Sequence, residues 1–236
     1  MLDYYTGMSE KQEIFTMLGG RVKFLRGTYN PTSDAAWLAA MISDASGKVV
    51  LDIGVGTGGA ILCLLANNSV KSATGIDISD DMLTQCAKNA ELNNCKIELI
   101  RADIMNWRTA RTFDIVITNP PYFKGTPAAH NAHHNADLVK WTKKSVARVK
   151  PHGTFATIVD AGVTSDVIAT LADVCGDITI FPLFSKKRTA ERVIIRARVG
   201  THGPTVIYNG LSMNCDMVLR DGLTIRDTLA TLNQQC

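Results

Sequence analysis

The chain predicts an α/β fold: a seven-stranded, mostly parallel sheet with helices on both faces and an antiparallel terminal hairpin. Two observations predict it. From residue 49 to about residue 175, short β-branched apolar runs alternate with stretches of helical periodicity, the pattern of strands joined by crossover helices. After that, two strand-like runs are joined by a link too short and polar to hold a helix, so the second must return antiparallel.

Residues 1–33 form a leader in which Gly19–Gly27 alternates like a strand or hairpin arm, and Asn30–Asp34 is a turn offering Thr32 or Ser33 as a helix N-cap. A helix follows over Ala35–Ile42. Strands are expected at Val49–Ile53, Ala73–Asp77, Ile97–Ile100, Phe113–Thr118 and Thr154–Val159. The helices between and after them are Gly59–Ala66, Asp80–Asn93, Leu138–Val149 and Thr164–Cys175. The hairpin comprises Ile178–Phe184 and Arg192–Val199, linked by Ser185–Glu191. Residues 201–236 read as an appendage of the same domain, with a strand at Thr205–Tyr208 and a helix from Thr224.

Totals narrow the class. At 236 residues the chain suits one well-cored domain, and 46% hydrophobic with 20% charged residues is ordinary for a globular protein. There is no apolar run long enough for a membrane span and no signal-like start. The six cysteines form no CxxC pair, and the five histidines no ligand set, so a reducing cytoplasm and no metal are expected. A net charge of +3 permits a nucleic-acid partner without requiring one.

The chemistry concentrates at predicted strand ends. Asn119-Pro120-Pro121-Tyr122 follows the fourth strand. A planar amino nitrogen is a poor nucleophile because its lone pair is delocalised. The Asn119 side-chain carbonyl and the next backbone carbonyl together accept both of its N–H hydrogens, favouring the tetrahedral nitrogen of the transition state. The prolines remove competing donors and stiffen the turn; Tyr122 offers a stacking face. Leu51–Gly59 is a glycine-rich strand-to-helix turn. Read literally, Gly54, Gly56 and Gly59 satisfy the dinucleotide fingerprint, with Asp77 closing the next strand, so a nicotinamide oxidoreductase competes, as does a catalytically silent nucleotide-binding module. Three features tilt away from it. Asp52 is placed to underlie a cationic amino-acid cofactor, Asp103 to accept from an adenine amino group, and the fourth strand ends in the amino-capturing turn.

Together these residues resemble the class I S-adenosylmethionine-dependent methyltransferases. Asp52–Gly58, with Gly54 and Gly56, looks like the DxGxGxG motif, Asp77 like the ribose-binding acid with Ile78 beside it, and Asp103 like the adenine-contacting acid. Asn119–Tyr122 looks like NPPY. The resemblance implies a Rossmann-like sheet of order 3-2-1-4-5-7-6 and S-adenosyl-L-methionine as cofactor. A closer resemblance is to the bacterial tRNA1(Val) adenine-37 N6-methyltransferases. It rests on Leu18–Val22, Asp34 with Leu38-Ala39-Ala40, the extension of the motif to Phe123, Ala132-His133-His134, Trp141, and Lys150–Gly153. Asn135 departs from the expected carboxylate, and the last 35 or so residues match loosely.

The resemblance implies catalysis by Asn119 through Tyr122, with Asn119 also touching cofactor and Tyr122 and Phe123 facing a tRNA substrate. Within the class, the alternatives are protein-glutamine N5 and ribosomal guanine-N2 methylation, both usually accompanied by a sizeable extra N-terminal domain. Lys186, Lys187 and Arg188 leave a strand end on the ligand-binding edge and suit phosphate contact, helped by Arg192. Trp37, Trp107 and Trp141 read as core, His133 and His134 as loop or RNA contacts, and Asp34 as either a helix-dipole acid or a cofactor neighbour.

Overall fold

The computed structural model describes residues 13–121 and 131–234. Its main sheet comprises β3 (Val49–Ile53), β4 (Ser72–Asp77), β5 (Glu98–Arg101), β6 (Phe113–Thr118), β7 (Val149–Asp160), β8 (Cys175–Phe184), β9 (Arg192–Val199), β10 (Val206–Ile207) and β11 (Leu211–Ser212). The central order is β5-β4-β3-β6-β7-β9-β8. Only β9 runs against its neighbours, so the predicted antiparallel hairpin is present. Both short strands, β10 and β11, lie parallel alongside β8.

Helices cover both faces: α1 (Ser33–Ala40), α2 (Gly59–Leu65), α3 (Asp80–Leu92), α4 (Asn131–Val146), α5 (Thr164–Ala172), α6 (Asp216–Leu219) and α7 (Ile225–Asn233). Strand alternation divides the core. Ile115 and Ile117 of β6 pack with α1 and α2 on one face, while Val116 packs with α4 and α5 on the other; Phe113 joins Val116 because the register shifts between Phe113 and Ile115. A separate hairpin of β1 (Ile14–Met17) and β2 (Val22–Leu25) lies against α3. Two side-chain amides replace a neighbouring strand there: Asn93 Oδ1 accepts from Lys23 N at 2.8 Å, and Asn89 Oδ1 from Leu25 N at 2.9 Å.

Differences from the sequence expectation are local. The α4 helix begins at Asn131, not Leu138, and β7 begins at Val149, not Thr154. The Lys-Pro-His-Gly segment is a bulge inside β7: register passes from Phe113↔Val149 to Ile115↔Thr154, and His152 takes a left-handed φ of 62°. The expected strand at Thr205–Tyr208 shrinks to two residues, and β11 and α6 had no sequence signal. Thr224 does start the last helix, its hydroxyl accepting from Asp227 N at 3.1 Å.

Candidate active site

Parallel pairing aligns the C-terminal ends of β3, β4, β5 and β6 on one edge of the sheet, with Ile53 opposite both Ile76 and Thr118, and Asp77 opposite Arg101. Ligands bind at this edge in open α/β sheets because strand-end carbonyls give way there to loops and helix N-termini. The turn after β3 carries left-handed residues at Gly54 (φ 72°) and Gly58 (φ 92°). A β-carbon on Gly58 would stand 2.9 Å from the sulfur of Cys86, so space and conformation both require glycine.

Two cavities flank this turn. One, of about 520 Å³, is lined by Gly54, Asp77, Ile78, Asp103, Ile104, Met105, Asn119, Pro121, Asp137 and Trp141 among others. The second, of about 250 Å³, is lined by Tyr29, Thr32, Asp52, Gly56, Thr57 and again Gly54 and Asn119. Together they fall in the range of small-molecule sites. They meet at Gly54 and Asn119, so the first residue of the Asn-Pro-Pro turn stands between them.

The three predicted acids occupy distinct environments. Asp77 accepts from Gly56 N at 2.9 Å and Ser79 N at 3.0 Å, one on each oxygen, fixing the carboxylate and leaving further lone pairs for a ligand. Asp103 is similarly held by Met105 N (2.9 Å) and Asn106 Nδ2 (2.7 Å). Asp52 is buried under the glycine turn, and burial pushes its carboxyl up to about 7, with the Asp77 charge adding to the rise and a hydrogen bond from the Ile61 backbone opposing it. Near neutral pH it therefore carries a proton part of the time, and a cationic group brought into the second cavity would favour its ionised form. Ile78 is 64% exposed although branched and aliphatic, and it lines the larger cavity as an apolar wall.

Some expectations are refined or corrected. Trp141, read as core, does pack against the second core cluster, and it also lines the larger cavity: its Nε1 donates to Thr118 Oγ1 at 3.0 Å, and that hydroxyl donates to Ile53 O at 2.8 Å. The relay ties α4 to the residues immediately preceding Asn119 and Gly54, and the indole edge would lie 3.3 Å from a β-carbon on Gly54. Trp37 is fully buried, as expected of core, with Nε1 donating to Met213 O. Arg192 does not extend the basic rim. It is held between the buried Asp34 and the exposed Asp160, 3.2 Å from each, joining α1 to the ends of β7 and β9. Lys186, Lys187 and Arg188 are exposed on the β8–β9 loop at the same sheet edge, with Lys187 3.4 Å from Glu191. Tyr122 and Phe123 lie outside the described residues, and the His133 and His134 side chains are likewise outside what is described.

Sequence reasoning missed Asp137, which α4 brings into the larger cavity one helical turn before Trp141. It also missed Asn89. Fully buried, Asn89 donates to Thr57 O at 2.9 Å while accepting from Leu25 N, so it braces the glycine turn from behind. No pattern in α3 marks it, because an asparagine in a helix reads as surface.

The relay makes a prediction. Trp141→Phe keeps the ring and removes one neutral donor, worth ~1 kcal/mol, so kcat is expected to fall about fivefold. Thr118→Val should do the same, and the double variant should be no worse than either single one, because all three break one chain of hydrogen bonds. Steady-state kinetics of the three variants checks this; multiplying losses would mean that the groups act separately.

Comparison with known proteins agrees with this geometry. Residues 50–153 match a family model described as a methyltransferase domain. The chain is 28% identical over 142 residues to a tRNA1(Val) (adenine(37)-N6)-methyltransferase of Glaesserella parasuis, covering 55% of this chain and 60% of that protein. It is 34% identical over 109 residues to a putative protein N5-glutamine methyltransferase of Methanocaldococcus jannaschii, covering 46% of this chain and 54% of the relative. The chain thus spans somewhat over half the length of these two relatives. Among solved structures, a predicted O-methyltransferase from Agrobacterium tumefaciens superposes with a TM-score of 0.64 over 77% of this chain and 88% of that one, at 21% identity, a likeness of fold.

Proposed function

The chain belongs to the class I S-adenosylmethionine-dependent methyltransferases, and from that premise we propose that it methylates the N6 amino group of an adenine in RNA, with tRNA as the substrate. S-adenosyl-L-methionine is the cofactor, and the residues fit it. The larger cavity offers a ribose-facing acid in Asp77, an amino-accepting acid in Asp103 and the apolar wall of Ile78 for an adenine face. The second offers Asp52, Thr32 and the glycine turn for an amino-acid end. When bound, the cofactor supplies an electrophilic methyl group and departs as a neutral thioether.

The observation that carries the reading is the position of Asn119 at the junction of the two cavities. Its side-chain oxygen, with the Pro120 carbonyl, accepts both hydrogens of the acceptor amino group and favours the nitrogen as it becomes tetrahedral. Pro120 and Pro121 bring no N–H to compete. Trp141 and Thr118 hold the strand end beneath the turn. Tyr122 takes the stacking role, with Phe123 beside it. An exposed loop adenine needs little unstacking to reach such a site.

The same amino-capturing chemistry suits a glutamine carboxamide, and the relatives divide between the two acceptors. The basic β8–β9 loop on the catalytic edge favours RNA. Mass spectrometry of tRNA nucleosides from a strain lacking this chain should show one N6-methyladenosine lost; intact tRNA methylation with loss of a methylglutamine would overturn the RNA reading.

The loop itself is testable. Among the described residues Lys186 and Arg188 make no ion pair, whereas Lys187 is already compensated by Glu191. Replacing all three by alanine should therefore lower the salt slope of tRNA binding by about 1.4, two contacts at ~0.7 each, with cofactor binding unaltered. Filter binding across a salt series checks it; superimposable lines would remove the loop from the interface.

A further inference from the structure

A third cavity, of about 380 Å³, lies between α7, the end of α1 and strands β8 and β9, and shares no residue with the two cavities of the active site. Arg196 rises into it from the middle of β9, on the face that Ile194 shares with the first core cluster. Among the described residues its side chain's one hydrogen bond is a long one, Nη2 donating at 3.4 Å to Oγ1 of Thr179, the residue paired with it across the strands. Its Nε is buried with no hydrogen-bond partner among the described residues. The side chain as a whole is only partly buried, but a guanidinium N–H held away from water with no acceptor is costly. No aspartate or glutamate is among the described residues that line this cavity. A second arginine, Arg226, stands at its mouth from α7 with its side chain 73% exposed, 4.0 Å from the neighbouring Asp227.

Two guanidinium groups, the Thr179 and Ser43 hydroxyls and an apolar floor make a site for an anion attached to an organic body. The donors outnumber the two oxygens of a carboxylate and suit the three or four of a phosphate, for which the arginine fork is well matched. We propose that this cavity is a phosphate-binding site, with Arg196 as the inner contact and Arg226 as the outer one. A single trapped water would satisfy Nε but leave most of the volume unexplained. This proposal does not depend on the identity of the methyl acceptor.

The test uses inorganic phosphate on the full chain at fixed ionic strength, with chloride as control, read by thermal melting and titration calorimetry. Phosphate should bind saturably and raise the melting temperature. Arg226→Ala, a change at an exposed position, should weaken phosphate binding about 10-fold, the loss of one charge-assisted contact. Arg196→Met should abolish the phosphate response yet melt no lower than the parent without phosphate, since the group removed makes only one long hydrogen bond and its Nε none among the described residues; a purely structural arginine would lower it. S-adenosylhomocysteine binding should be unchanged in both variants. No saturable phosphate response in the parent, or an equal response in parent and Arg226→Ala, would overturn the proposal. Competition between phosphate and tRNA, lost in Arg226→Ala, would assign the phosphate to an RNA backbone. A phosphate response with tRNA binding untouched would assign it to a small phosphorylated compound; each of these results supports the site.

Discussion

Asn119→Ala is expected to lower kcat by about 10²–10³-fold, the loss seen when a preorganised transition-state acceptor or donor is deleted. Cofactor affinity should stay near that of the parent. Asn119 touches both cavities, but the carboxylates proposed to hold the cofactor, Asp77 and Asp103, are fixed by their own backbone bonds and do not depend on it. Asn119→Asp retains an acceptor at the same place and should keep more activity than the alanine variant. Single-turnover methyl transfer, with calorimetry of S-adenosylhomocysteine on the same preparations, separates the two effects. An alanine variant that transfers methyl at nearly the parental rate would end the amino-capture mechanism. A loss of cofactor affinity without a loss of single-turnover rate at saturation would move Asn119 from chemistry to binding.

What the sequence made legible was whatever depends on local pattern. The strand ending at Ile53, the glycine turn and the acid closing β4 follow from periodicity and from backbone conformations that only glycine adopts freely, and the structure places them on one edge. The antiparallel return of β9 followed from a link too short for a crossover. What escaped depends on contacts between distant segments. Trp141 looks like any core tryptophan until α4 sets its indole against Gly54 and its N–H on Thr118. Arg192 looks like a continuation of a basic loop until Asp34, more than 150 positions earlier, is found beside it. Asn89 gains its role by facing two backbone groups from different segments. In each case the decisive partner is a tertiary one, and composition within a window carries no trace of it.

Asp77→Ala should weaken cofactor binding by roughly 10- to 100-fold, because charge-assisted hydrogen bonds of this kind contribute ~1.5–3 kcal/mol. The structure adds a second reason for the effect. The carboxylate accepts from Gly56 N, so it shapes the glycine turn as well as facing the larger cavity, and its loss frees a backbone donor in the turn itself. Asp77→Asn divides these contributions. One amide oxygen can still take either Gly56 N or Ser79 N, but the amide nitrogen then opposes the other donor, and the negative charge is gone. The asparagine variant should therefore bind cofactor little better than the alanine variant. Calorimetric titration with S-adenosylhomocysteine reads the affinity directly, and thermal melting of the same samples shows whether the turn has collapsed. Parental affinity in a folded Asp77→Ala protein would remove this carboxylate from the cofactor site, and parental affinity in Asp77→Asn alone would show that an acceptor suffices without its charge.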